Sequence, residues 1–182
     1  FGQDGSESGV YGQLYNADGT KLNSEFRVNT YTAGKQHNPN VESFSDGKFI
    51  VVWQSVGQDG SDSGVYGQRY NADGTKLNSE FRVNTYTTGL QWLPSVGTFS
   101  DGKFVVAWDR FGQDGSESGV YGQMYNADGT RLNSEFLIHE YGTDRRPNPN
   151  IGTFDDGKFI IAWSGLCKND NVGICGQQYE AN

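Results

Sequence analysis

No stretch of the chain approaches the roughly 18 consecutive apolar residues of a membrane-spanning helix, so insertion into a bilayer by that route is not expected. Nor is there a run of lysine or arginine. The 14 basic residues are scattered among 22 acidic ones, for a formal net charge of −8. Binding to nucleic acid or to an anionic membrane face needs clustered positive charge, and neither is an expected partner. Histidine and cysteine occur twice each, methionine once and proline four times. His37 and His139 lie at non-equivalent points of the repeat described below and have no G-x-S-x-G nucleophile motif beside them. The sequence has no N-x-S/T acceptor for N-linked glycans, while Thr30, Thr32, Thr85 and Thr87 leave O-glycosylation open. No segment carries a 3.6-residue apolar period over helical length, so essentially no helix is expected. The chain starts on Phe1, without an initiator Met or a signal-like leader, and reads as a processed chain or a piece of a longer one.

What is abundant is glycine, 26 of 182 residues, together with aromatic residues at 14%. The length suits one domain with a modest core. The aromatics return at regular intervals, which argues for a folded chain despite only 34% hydrophobic residues. The segment GQDGSESGVYGQ at 2–13 comes back, with one change, at 57–68 and unchanged at 112–123, a step of 55 residues. Trp53, Trp108 and Trp163 keep the same step. Residues 2–31 and 57–86 differ only at Glu7/Asp62 and Leu14/Arg69. The last copy has lost one residue and rewritten its loop as SGLCKNDNVGIC.

One period reads as four strands. Val41–Phe44 and Lys48–Trp53 are joined by Ser45-Asp46-Gly47; Val65–Tyr70 and Glu80–Thr85 are joined through Asn71-Ala72-Asp73-Gly74. Asp-Gly supplies the positive φ that a tight turn needs. In Phe104-Val105-Val106-Ala107-Trp108 both faces are apolar, as in a strand covered on two sides, whereas Phe81/Val83 and Arg82/Asn84 alternate. The expected fold is all-β, a repeat array of four-stranded antiparallel sheets stacked like the blades of a β-propeller, about three units long. Residues 1–182 form one repeat domain, divided into a partial unit at 1–38 (strands three and four), whole units at 39–93 and 94–148, and a partial unit at 149–182 (strands one to three). That makes thirteen strands. A closed propeller usually needs at least four blades, which leaves an open array, a ring completed by other chains, or a fragment of a longer tandem protein. Unfilled sheet edges are templates for another chain, so head-to-tail association is one expectation and a ring sealed by the first and last strands is another.

The motifs W-x-S-x-G-Q-D-G-S-x-S-G-V-Y-G-Q-x-Y-N-A-D-G-T, F-x-V-N-T-Y-T and S-D-G-K-F-V-V-x-W resemble tandem repeats of very large secreted or surface proteins of bacteria and protists. Such proteins often also carry calcium-binding or cadherin-like modules. The resemblance covers essentially the whole chain and implies an extracellular structural or adhesive role, without fixing an activity. The last copy departs from it at Cys167 and Cys175.

Three groups of residues stand out as candidate sites. The loop Asp59-Gly60-Ser61-Asp62-Ser63-Gly64, with its counterparts at 4–9 and 114–119, has oxygen-bearing side chains at positions 1, 3 and 5 and glycine at 6, like the front half of a calcium loop. Position 12 is Tyr70 rather than glutamate, so a site built from Asp4, Glu7, Asp59, Asp62, Asp114 and Glu117 would hold calcium weakly. The alternative is a self-hydrogen-bonded turn. Cys167 and Cys175 appear where the consensus loop disappears, and a disulfide closing this loop would contribute about 2.5 kcal/mol and fit an oxidising setting. The recurring aromatics Phe44, Phe49, Trp53, Tyr66, Tyr70, Phe81 and Tyr86 read as inter-sheet core, with a sugar-binding platform as the other use. At one equivalent loop the chain has Gln36-His37-Asn38-Pro39, Gln91-Trp92-Leu93-Pro94 and Arg146-Pro147-Asn148-Pro149. His37, Trp92 and Leu93 there are candidate contacts for a partner chain or glycan, against plain local packing.

An enzyme is not expected, because nearly all aspartates sit in turn positions that already explain them. The regularity of the copies points to an extracellular or cell-surface structural protein that associates with itself head to tail into a fibre or forms part of a long adhesive protein. The alternative is a multivalent, lectin-like carbohydrate-binding module, which should show matching polar and aromatic residues at one position in every copy. A third reading is a calcium-stiffened adhesin repeat. No cofactor is expected apart from possible calcium.

Overall fold

The computed structural model describes residues 5, 7–112, 118–140, 147–167 and 172–180. Among them are thirteen strands and no helix. They are β1 (Tyr11–Tyr15), β2 (Lys21–Arg27), β3 (Gln36–Ser43), β4 (Phe49–Val56), β5 (Ser63–Tyr70), β6 (Lys76–Arg82) and β7 (Leu90–Thr98), followed by β8 (Phe104–Phe111), β9 (Gly119–Tyr125), β10 (Arg131–Glu140), β11 (Asn150–Thr153), β12 (Lys158–Leu166) and β13 (Val172–Glu180). β3 to β6 pair consecutively and antiparallel, and β7 to β10 do the same. A single parallel contact, Ser63 with Leu90, joins the two sets into one eight-stranded sheet. β1–β2 and β11–β12–β13 are separate sheets.

The turns behave as their residues dictate. In Asn71–Thr75 the Asp73 carboxylate accepts from the Thr75 amide (2.9 Å) and hydroxyl (2.7 Å), and Gly74 takes φ +85°. The same arrangement recurs at Asp18 and Asp128. At Ser45-Asp46-Gly47 the carboxylate instead meets Lys48, as Asp156 meets Lys158.

These bonds hold the carboxyls of Asp18, Asp73 and Asp128, through their threonine partners, and of Asp46 and Asp156, through their lysines, below the ordinary carboxylate range. A carboxyl whose pKa is depressed by folding contributes stability above the unfolded value, near 4, and loses it as pH falls through the folded value. The melting temperature should therefore hold between pH 7 and 5 and drop below about pH 4. Thermal melts of Asp73→Asn should show a shallower acid drop than the unsubstituted chain.

The fourth strand starts earlier than the expected 80–85 in each unit, directly after the turn, and in the first two it also ends earlier: β2 and β6 stop at Arg27 and Arg82, whereas β10, with His139 in place of the asparagine, continues to Glu140. The cause is Asn84, fully buried, whose side chain replaces a ladder bond. Its Oδ1 accepts from the Val65 amide (2.8 Å), while its Nδ2 donates to the Tyr86 carbonyl (2.7 Å) and to Gln91 Oε1 (3.1 Å). Asn29 and Gln36 repeat this arrangement one unit earlier. The first strand is longer than the expected 41–44, starting at Gln36 and at Leu90. It bends at a register shift where Asn38 and Leu93, each before a proline, take positive φ. Proline brings no amide to the ladder, so the irregularity falls where a ladder bond would be lost in any case.

The core lies between units. Phe44, Ile50, Val52 and Val65 of one set pack against Val96, Phe104, Val106 and Trp108 of the next, and Phe104 stacks on Tyr125 at 4.6 Å between ring centroids. A second cluster joins β8 and β9 to β12 through Val105, Ala107, Ile161 and Trp163. β4 and β8 are buried on both faces, whereas β2 and β6 are largely exposed, as their alternation predicts. Tyr70 and Tyr125 each donate from the hydroxyl to a carbonyl of the preceding unit, Val28 and Val83 (3.3 Å).

Candidate functional site

The calcium-like loop is engaged in holding units together. Asp59 Oδ1 accepts from the Ser61 amide (3.1 Å), and Ser61 Oγ accepts from the Gly89 amide (3.2 Å). Ser63 Oγ accepts from Gln54 Nε2 (3.3 Å) and donates to the Gln91 carbonyl (3.1 Å). The side chains at positions 1, 3 and 5 thus form a turn and dock it on the next unit. Asp62 is exposed, and Glu7 pairs with Lys35 at 3.4 Å. Among the described residues no group of three or more His, Cys, Asp and Glu is placed to hold a metal ion. Asp4, Asp114 and Glu117 lie outside the described residues.

Cys167 and Cys175 form a disulfide that ties the end of β12 to β13. Trp92 donates from Nε1 to the buried Asp109 carboxylate (2.6 Å), and Leu93 sits at the strand bend. His37 is half-buried opposite Gln54 on β4, and burial, then the Lys35 charge, holds its imidazole below the ordinary range. None of these three lines the clefts described next.

Two open clefts, of about 680 and 550 Å³, lie at consecutive junctions between units. Their linings coincide under the 55-residue step. Thr30 matches Thr85, Tyr31 matches Tyr86, Gln68 matches Gln123, Lys76 matches Arg131, and Asn78-Ser79-Glu80 matches Asn133-Ser134-Glu135. Each acid is set by the preceding unit. Glu135 accepts from the Thr85 amide (2.8 Å) and hydroxyl (2.6 Å), and Glu80 accepts from the Thr30 amide (2.6 Å) and Gln58 Nε2 (2.6 Å).

The fully buried Gln123 donates from Nε2 to the carbonyls of Met124, Leu132 and Asn133 (2.9, 3.2 and 3.1 Å). These bonds fix the orientation of the amide and leave Oε1 as a buried acceptor with no partner; Gln68 repeats the pattern. Each cleft also carries an aromatic ring. The Arg110 guanidinium sits 3.5 Å from the Tyr86 ring centroid and 4.8 Å from that of Tyr121. In the other cleft burial holds the Lys76 ammonium below its ordinary range while Glu80 pulls it back up.

The loop at 36–39 and 91–94 varies between copies, whereas the Thr-Tyr, Gln and Asn-Ser-Glu residues of the clefts do not; of the matched positions only Lys76 and Arg131 differ. The available signal was Asn-Ser-Glu, repeated in identical form on an exposed strand: the asparagine is accounted for by its left-handed backbone at the register shift (φ 63° at Asn78, 59° at Asn133), but neither turn nor core requires the Ser-Glu pair that follows it.

No protein-family model matches the sequence, and no curated protein matches it. Among solved structures, an alpha-L-arabinofuranosidase from Lactobacillus brevis is similar over 93% of this chain and 66% of its own, at 11% identity and a TM-score of 0.53. A protein of unknown function from Dyadobacter fermentans is similar over 79% and 50%, at 11% identity and the same score, 0.53. A fucose lectin from Kordia zhangzhouensis in complex with methyl-fucoside is similar over 79% and 93%, at 10% identity and 0.46. The chain spans between half and two thirds of the length of the first two. At such identity the likeness is one of fold: an all-β chain of several sheets with propeller-like neighbours.

Proposed function

We propose that the chain is a carbohydrate-binding module of propeller-like, four-stranded units, with one shallow saccharide site at each junction between consecutive units. The observation that carries this reading is the recurrence, one period apart, of a cleft lined by the same Thr-Tyr pair, glutamine and Asn-Ser-Glu run and by a basic residue, Lys76 or Arg131. A sugar presents hydroxyl donors and an apolar ring face. Each cleft answers with a fixed carboxylate, an exposed Asn-Ser pair (Asn78-Ser79 or Asn133-Ser134) and a tyrosine ring. A lectin-like module should show matching polar and aromatic residues in every copy; the matching linings at two consecutive junctions support the reading, whereas His37 and Trp92 do not match. Binding without catalysis fits the lining, because each cleft offers one carboxylate where glycosidase chemistry uses two. The bonded cysteines support a non-cytoplasmic setting, and an extracellular or cell-surface protein is the corresponding location. Among the described residues no helix is long and apolar enough to cross a membrane.

A glycan array followed by calorimetric titration tests the proposal. The expected result is retention of a saccharide class, with two sites per chain. Tyr86→Ala should lower the stoichiometry to one; it keeps the backbone carbonyl that serves Asn84 and loses the ring under Arg110, so a thermal melt of the variant should show a folded chain of slightly lower stability. Tyr31→Ala combined with Tyr86→Ala should abolish binding. Failure to retain any neutral or acidic saccharide at millimolar concentration would refute the reading.

A further inference from the structure

Several apolar positions buried at an internal junction have counterparts that are bare at an end of the stack. Phe44 and Phe99 are 8% and 6% exposed, yet their counterpart Phe154 is 49% exposed. Val65 and Val120 are fully buried, yet Ile174, at the same place in the last unit, is 80% exposed. At the opposite end Val96 is 3% exposed and its counterpart Val41 is 59% exposed. Ile160 on β12 is likewise bare where Ile50 and Val105 are buried.

The internal junction shows what each bare face fits. Phe44, Ile50 and Val65 cover Val96, Phe104 and Val106 of the next unit. The Val96 amide donates to Asn40 Oδ1 (3.0 Å), and Thr98 Oγ1 donates to the Ser43 carbonyl (2.7 Å). The β11–β12–β13 end carries the first kind of face, Phe154, Ile160 and Ile174, with Asn150 in the place of Ser95 and so of Asn40. The β1–β3 end carries the second: Val41 is bare, while Phe49 and Val51 beside it (9% and 7% exposed) lie against Val10, Leu14, Phe26 and Val28, along an apolar groove of about 480 Å³.

We propose that a second copy of the chain docks head to tail, its β11–β12–β13 face covering the β3–β4 face of the first and reproducing the internal junction. Both ends contribute a third strand, so one must yield. β13 is held to β12 by nine residue pairs and by the disulfide, whereas β1 is held along one edge only, by four pairs to β2. β13 therefore takes the place of β1, and β2 pairs with the open outer edge of β13. The resulting sheet, β11–β12–β13 and the partner's β2, has the order of β3–β4–β5–β6. Such an interface is heterologous and extends into chains of copies or closes into a ring. It stands independently of the saccharide reading.

Sedimentation velocity of the 182-residue chain from about 1 to 200 µM tests it. The mass is expected to rise with concentration above that of a monomer. Val41→Glu removes one face and Ile174→Glu the other, so each variant alone should remain a monomer. Both positions are exposed in the free chain, and circular dichroism melts should show unchanged folding. Mixing the two variants leaves one good face on each, and should give dimers with no higher species. A wild-type monomer across the range, self-association of either variant alone, or a mixture that stays monomeric would each overturn the proposal. If the chain is a monomer that still binds saccharide, this inference fails and the saccharide reading stands.

Discussion

Trp108→Ala should destabilise the chain by about 4 kcal/mol in urea unfolding, the largest effect expected of any single truncation here. Trp108 is fully buried in the middle of β8, between β7 and β9, within the cluster that joins two units. Both faces of its strand are covered, so neither side can relax into solvent to fill the space left behind. Its indole Nε1 finds no acceptor, and the same holds for Trp53 and Trp163. Trp108→Phe therefore removes volume and also a desolvated donor, and should cost less than half as much as the alanine variant. Trp163→Ala should fall below Trp108→Ala, because Trp163 lies in the three-stranded end sheet with no unit packed on its outer side. A loss below about 1.5 kcal/mol for Trp108→Ala would show that the junction between units is not the stabilising core.

Asn84→Ala should cost about 3 kcal/mol, through hydrogen bonding rather than volume. Removing the side chain leaves the Val65 amide without its acceptor, and the Tyr86 carbonyl and Gln91 Oε1 without their donor. Val65, Asn84 and Gln91 are all fully buried, so water does not readily replace the lost partners. Hydrogen exchange at the Val65 amide should accelerate together with the fall in melting temperature. Unchanged exchange at Val65 would contradict the role assigned to Asn84. The third unit has His139 in this place, stacked on Trp163 at 5.1 Å between ring centroids, which shows that the position accepts another planar polar group. Asn84→His should accordingly cost less than Asn84→Ala.

The strand succession was legible because each turn is encoded within five residues: Asn71 to Thr75 contain the donors, the acceptors and the glycine that the turn requires. The end of the fourth strand was not. Asn84 reads as an ordinary outward strand residue, and only its bonds to Val65 and Gln91, on other strands, turn it inward. The disulfide was legible for a similar reason, since Cys167 and Cys175 are eight residues apart and replace a loop that the other copies retain. The clefts were not legible. Glu135 meets Thr85, and Glu80 meets Thr30, across fifty residues of sequence, and only stacking brings these groups together.

By itself the sequence determined the period, the number of strands, the turns, the buried tryptophans and the closing disulfide. All of these follow from short-range backbone preferences and from apolar patterning along a single strand. Only the tertiary structure decided which identical residues line a cleft, which oxygen atoms in the Asp-Gly-Ser loops are already engaged, and which apolar faces remain bare. Those outcomes depend on what one unit presents to the next. The same valine is buried at position 96 and exposed at position 41 because packing, unlike a turn, is settled by a neighbour some fifty residues away.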